Sequence, residues 1–202
     1  MSAFDDLFTE LIRHIDGLET KFLSVSLADR TAMPDEDFIK AYCILSHAAI
    51  EEFFEKVSLQ IMEQCLNDWF NDKKYRDTLV TLTCHYKIEL KIDEDEAARE
   101  KKVFDYLKPI FDEAKDKFSK EVAKNNGASV KYLRKLMIPV AIDIKDDVKL
   151  ASLKQLAKER GDFAHRQRLI RRVLGPEDAK NTVKDCLEVC DDIRNKANAK
   201  FV

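Results

Sequence analysis

Residues 158–167, Lys-Glu-Arg-Gly-Asp-Phe-Ala-His-Arg-Gln, set Arg160 and His165 five positions apart in a run crowded with further arginines. Histidine titrates near neutral pH and so can take up or release a proton. A guanidinium presents a planar fork of donors that matches phosphate oxygens. One of each is the minimum equipment for holding a phosphate and moving a proton beside it. Residues 151–172 carry Lys154, Lys158, Arg160, Arg166, Arg168, Arg171 and Arg172 against Glu159 and Asp162, a local balance of +5. Such a patch attracts phosphate. A charge-rich run is also the ordinary signature of a solvated helix face, and composition alone leaves both readings open.

The rest of the chain limits what this patch can belong to. The net charge over 202 residues is −3, which argues against a uniformly basic nucleic-acid binder. Residues 1–40 hold nine acids against four bases, so the positive charge is concentrated near the end of the chain. No apolar run approaches the ~20 residues that a membrane span needs. The acidic start, Met-Ser-Ala-Phe-Asp-Asp, lacks the basic and apolar pattern of a secretory signal. Five cysteines (Cys43, Cys65, Cys84, Cys186 and Cys190) form no Cys-x-x-Cys pair, and Cys186 and Cys190 read as buried thiols one helical turn apart. A reduced, cytoplasmic protein is the expectation. His14 and His85 have no ligand-spaced partner, so no metal site and no cofactor are expected. His47 sits in an apolar stretch and reads as a hydrogen-bonded core residue.

The elements that must position these groups read as helices. Only four glycines and four prolines occur, so connections are few and helices long. Phe4, Leu7, Phe8, Leu11, Ile15, Leu18, Phe22 and Val25 recur at three and four, as on an amphipathic helix. Pro34 suits a first helical position ahead of Asp35, Glu36 and Asp37. From there to about residue 70 runs a long central helix, apolar on more than one side, with Ala41, Ser46, Ala48 and Ala49 allowing close approach of a neighbour. The β-branched stretch 75–90 is read as helix because no second strand candidate lies nearby to pair with it. A further helix follows through Val103, Leu107, Ile110 and Phe118, with Pro109 inside it. Asn125-Asn126-Gly127 has turn chemistry, and Ser129 is a candidate cap for a short helix. Residues 138–147 read as an extended connector, residues 149–174 as a helix, and Pro176 opens a last helix ending near Ala199. The predicted fold is all-α: a single-domain helical bundle over residues 1–202 with a long central helix.

Arg160-x4-His165, with Ala164 directly before the histidine, resembles the signature of the HEPN superfamily, all-α domains found in many prokaryotic ribonuclease toxins and defence proteins. The asparagine turn, short helix and connector of residues 125–144 are similar to the segment preceding the motif helix in RiboL-PSP-type HEPN proteins. Residues 41–61 are similar to their central helix, with Glu51 as the matching acid. The resemblance spans roughly residues 38–172. Two positions depart from it. Gly161 stands where a polar residue is usual, and Gln167 stands where some members carry a tyrosine that a partner enzyme modifies with AMP.

The resemblance implies an endoribonuclease of toxin or antiviral-defence type, working without metal. The RNA's own 2′-hydroxyl would attack the adjacent phosphorus, His165 would transfer the proton and Arg160 would steady the charged phosphate. Glu51 would either hold Arg160 by a buried charge pair or serve helix packing. Asp162 would orient the imidazole or sit in solvent. Arg166, Arg168, Arg171 and Arg172 suit attraction of the RNA backbone, which positions RNA without reading its sequence. In a regular helix, positions five apart point ~140° from each other. That separation requires the long reach of arginine, an irregularity at Gly161, or a second subunit. A homodimer with two motifs facing one cleft is the family's habit and the expectation here, with an antitoxin or defence protein as a further partner. The competing class is a non-catalytic HEPN-like module that binds RNA or protein. A DNA-binding regulator fits less well, because no helix-turn-helix pattern precedes the arginine-rich helix.

Overall fold

The computed structural model describes residues 2–23, 36–90, 102–124, 127–145, 148–165 and 174–202, the side chains of 162–165 excepted. Every regular element among them is a helix: α1 (Ala3–Phe22), α2 (Glu36–Asp72), α3 (Asp77–His85), α4 (Val103–Val122), α5 (Val130–Met137), α6 (Lys149–His165) and α7 (Pro176–Ala199). The chain is all-α, as its periodicity predicts. Pro34 and residues 166–174, apart from Leu174 itself, lie outside the described residues, so the expected start of α2 at Pro34 and the reach of α6 beyond His165 are not part of this description.

Contacts divide the chain into two compact units. One comprises residues 1–57, 126–134 and 144–202, and the other residues 58–125 and 135–143. The covalent run of α2 contributes its first 22 residues, Glu36 to Val57, to one unit and the remainder to the other.

In the first unit, α7 packs against both α6 and α1. Ser2 caps α1 by accepting the Asp5 N–H at 3.1 Å, while Asp5 accepts the Ser2 N–H at 3.0 Å. This reciprocal box satisfies two N–H groups that a helix start otherwise leaves unpaired. The Ser2 backbone N–H holds the Asp5 carboxyl below the usual carboxylate range, with Asn198 assisting from the end of α7. The buried core of this unit comprises Leu11, Ile15 and Leu18 of α1, Ile50, Phe53 and Phe54 of α2, Leu153 and Leu156 of α6, and Val183, Cys186, Cys190 and Ile193 of α7. Burying each large apolar side chain contributes roughly 1.5–3 kcal/mol. The thiols at 186 and 190 are buried and free, as expected, and burial pushes both up from the ordinary cysteine range. Cys84 is exposed.

In the second unit, α3 packs against α4. Ile61, Met62, Cys65, Leu66 and Trp69 form the buried face of α2 there, and Trp69 meets the Phe111 ring edge-on at 5.4 Å between centroids. The stretch 75–90, β-branched as it is, does contain a helix. Its threonines do local work: Thr78 and Thr81 donate their hydroxyls to the Val140 and Pro139 carbonyls at 3.0 and 2.7 Å. Residues 138–142 differ from the extended connector the sequence suggests. They continue the end of α5 as a left-handed cap, with Ala141 at φ 56°, Ile142 N–H donating to the Met137 carbonyl and Ala141 N–H to the Ile138 carbonyl. This closure satisfies carbonyls that a helix end leaves open. It usually uses glycine at the left-handed position, and alanine there removes the sequence signal.

Candidate active site

The site builds up from one face of α2 in the first unit. His47, Glu51 and Glu55 follow one another at intervals of four, so they lie along one stripe of the helix. His47 is 1% exposed and Glu51 is 4% exposed, both unusual for such side chains in an otherwise apolar helix. The Glu51 carboxylate accepts the backbone N–H of Gly127 in a short hydrogen bond. One turn on, Glu55 accepts the Tyr132 hydroxyl at 2.9 Å. Burial pushes the Glu55 carboxyl up, and the Tyr132 hydrogen bond opposes this. The two acids thereby fix the segment that leads into α5. Ser129 caps that helix as its position predicts, accepting the Tyr132 N–H at 3.1 Å.

Gly127 has φ +81°, a left-handed conformation that glycine adopts without steric cost. It also has to be small. A Cβ there would lie 2.5 Å from Nη1 of Arg160 and 3.8 Å from Cε1 of His47. The turn is therefore the place where Arg160 of α6 and His47 of α2 both approach, each with an atom near the point that a Cβ on the glycine would occupy.

Arg160 is exposed, and no carboxylate stands within ion-pair distance of its guanidinium among the described residues. Glu51 thus binds the turn rather than forming a charge pair with Arg160. His47 is a core residue as the sequence suggests, but neither ring nitrogen has a hydrogen bond of normal geometry. Burial pushes its pKa down to about 4, the Arg160 charge adds to this, and the nearby Ala128 backbone weakly opposes it. At neutral pH the ring carries no charge.

The structure thus brings Arg160 and Glu51 to one turn. The helix α6 runs unbroken across Gly161 to His165, so no irregularity at Gly161 shortens the ~140° between Arg160 and His165. The side chains of His165 and Asp162 lie outside the described residues, as do Arg166, Arg168, Arg171 and Arg172 altogether. Among the described residues, no three His, Cys, Asp or Glu side chains converge as metal ligands would. Reading the sequence misses His47 and Gly127 as site residues. The available signal was the polar i, i+4, i+8 series on an apolar helix, together with a glycine in the asparagine turn.

A model of the RiboL-PSP-HEPN family matches residues 2–199. The chain belongs to that family. The match takes in α1 and α7 as well as the stretch 38–172 that carries the motif resemblance, so all seven helices among the described residues fall within the matched region. No curated protein and no solved structure matches it. HEPN domains are often ribonucleases, which makes a nuclease the functional class to weigh against the geometry. No helix among the described residues is long and apolar enough to cross a membrane.

Proposed function

We propose that this HEPN protein is a metal-independent endoribonuclease in which Arg160 and His165 act on one phosphodiester. The observation that carries the reading is the state of Arg160. Its guanidinium rests over a fixed glycine turn, exposed, with no carboxylate partner among the described residues. A structural arginine ordinarily satisfies its fork of donors on protein carboxylates. One that lies at such a turn without a carboxylate partner among the described residues suits a phosphate that arrives with the substrate. His165, on the same helix, supplies the proton transfer that RNA cleavage by its own 2′-hydroxyl requires. The backbone separation on α6 favours an active form in which two copies line one cleft, each helping to complete the motif. Arg166, Arg168, Arg171 and Arg172 supply attraction for the RNA backbone.

The test is incubation of purified protein with end-labelled RNA in excess EDTA, beside His165→Ala and Arg160→Ala. Cleavage by the wild type, slowed on the order of a hundredfold or more in each variant, supports the reading, provided both variants melt near the wild-type temperature. Equal cutting by all three proteins overturns it. Sedimentation equilibrium at micromolar concentration tests the assembly: about twice the chain mass of 23.4 kDa is expected, and a fully active monomer refutes the two-copy cleft.

A further inference from the structure

His47 has no role in the reading above, yet its setting is hard to reconcile with packing alone. It is 1% exposed, on the stripe of α2 that carries Glu51, and both ring nitrogens lack hydrogen bonds of normal geometry. Leaving a buried polar group unpaired destabilises a fold, a cost that an apolar residue of the same shape would avoid. The ring's orientation offers a reason for its retention. Cε1, the atom that approaches the place a Gly127 Cβ would take, lies between Nδ1 and Nε2, so the polar edge of the ring faces the space that Nη1 of Arg160 also enters.

We propose that His47 is a positioning residue: its neutral imidazole accepts an N–H from the Arg160 guanidinium when phosphate is bound, and so fixes how the remaining donors point. The proposal rests on the ribonuclease reading for its purpose and on the His47–Gly127–Arg160 geometry for its substance. Three groups bear on the ring. Arg160 reaches toward it from α6, Glu51 follows it on α2 with its carboxylate engaged by Gly127, and the Ala128 backbone lies in the turn. Only Arg160 among them is a cationic donor. A neutral ring has one nitrogen with a lone pair for it, and burial together with the Arg160 charge keeps the ring neutral at pH 7. The guanidinium is the far end of an exposed side chain and can turn toward the ring.

The experiment measures kcat and KM on an RNA oligonucleotide for His47→Phe and His47→Gln, each alone and combined with Arg160→Ala. The phenyl ring preserves shape without an acceptor, while glutamine returns an acceptor oxygen. His47→Phe is expected to lower kcat about tenfold, as loss of a hydrogen bond to a charged group does, with KM little changed. His47→Gln is expected to recover most of that loss. In the Arg160→Ala background, His47→Phe is expected to cost nothing further, because a residue acting through Arg160 has nothing left to position. Wild-type kcat in His47→Phe, or the same fold-loss in both backgrounds, would overturn the proposal. A second measurement separates its failure from failure of the ribonuclease reading. The 15N shifts of the His47 ring at pH 7, in inorganic phosphate, are expected to differ between wild type and Arg160→Ala. Identical shifts overturn the contact whether or not the protein cuts RNA.

Discussion

The Glu51 carboxylate accepts the backbone N–H of Gly127, 76 positions along the chain, with both residues buried. This bond ties the central helix to the turn over which Arg160 lies, so it links a folding contact to the residue proposed to bind phosphate. Glu51→Ala leaves the Gly127 N–H buried without an acceptor, and the expected loss of stability is on the order of 2–3 kcal/mol. Glu51→Gln keeps a side-chain oxygen in reach and should lose less than half as much. Urea unfolding of the three proteins checks this. A Glu51→Ala variant within about 0.5 kcal/mol of wild type would mean that the bond carries no weight.

Gly127→Ala tests the turn from the other side. The backbone at φ +81° costs alanine roughly 1–2 kcal/mol. The new methyl also meets Nη1 of Arg160, the far end of a flexible side chain, which can move away. The expected outcome is a modest fall in stability with a loss of cleavage comparable to that of Arg160→Ala. A variant that loses stability yet cuts normally would show that the guanidinium need not sit where it does.

Gly161→Ala should do the opposite. Gly161 lies within α6, and a Cβ there meets nothing within 4 Å among the described atoms. Replacing a helical glycine by alanine then stabilises by roughly 0.5–1 kcal/mol, because alanine has less backbone freedom to lose. Thermal melting reads the effect. A drop in melting temperature would mean that Gly161 needs a conformation other than the helical one.

Acid should weaken the fold through His47. The unfolded ring binds its proton near pH 6.5, whereas in the fold burial and Arg160 hold the midpoint down to about 4. Between those values the unfolded chain carries more protons, so stability falls as pH drops from about 6.5 to about 4. Below that, both states are protonated and this contribution stops changing. The shift corresponds to on the order of 3 kcal/mol. His47→Phe has no such proton to take up. The stability difference between variant and wild type should therefore move in favour of the variant between pH 7 and pH 4.5, and a constant difference would contradict the depressed pKa.

How much of this was legible beforehand follows from the reach of each interaction. The helices α1, α2 and α7 are written in local periodicity and in start signals such as the Ser2 cap and Pro176 at the first helical position, which act over a few residues. The cap at Ala141 was illegible because the left-handed position lacks the glycine that would mark it. Arg160 and Glu51 could be singled out by residue type and by family resemblance, but not their arrangement. Gly127 meets Arg160 and His47 and engages Glu51 only after α2, the turn and α6 pack together. A single sequence records such meetings only as isolated oddities: a histidine and two acids four apart on an apolar helix, and one glycine after two asparagines.

The reaction type separates this reading from that of a metal nuclease. If the 2′-oxygen attacks phosphorus, the bond to the 5′-oxygen breaks, and the proton lost from the 2′-hydroxyl is balanced by one gained at the departing 5′-oxygen. His165 can serve that transfer, while Arg160 faces the charge that grows on the phosphate oxygens. Three results should therefore go together: cutting persists in EDTA, the upstream product ends in a 2′,3′-cyclic phosphate, and a 2′-deoxy substitution at the cut site stops the reaction. Stabilisation of transition-state charge by a placed donor contributes about 3–4 kcal/mol, so Arg160→Ala should slow the step by on the order of a hundredfold or more. Because Arg160 is exposed and has no ion pair among the described residues, that loss should come with a nearly unchanged melting temperature. Cleavage of the deoxy-substituted strand at the same bond would rule out attack by the 2′-hydroxyl and leave Arg160 as a phosphate anchor for some other nucleophile.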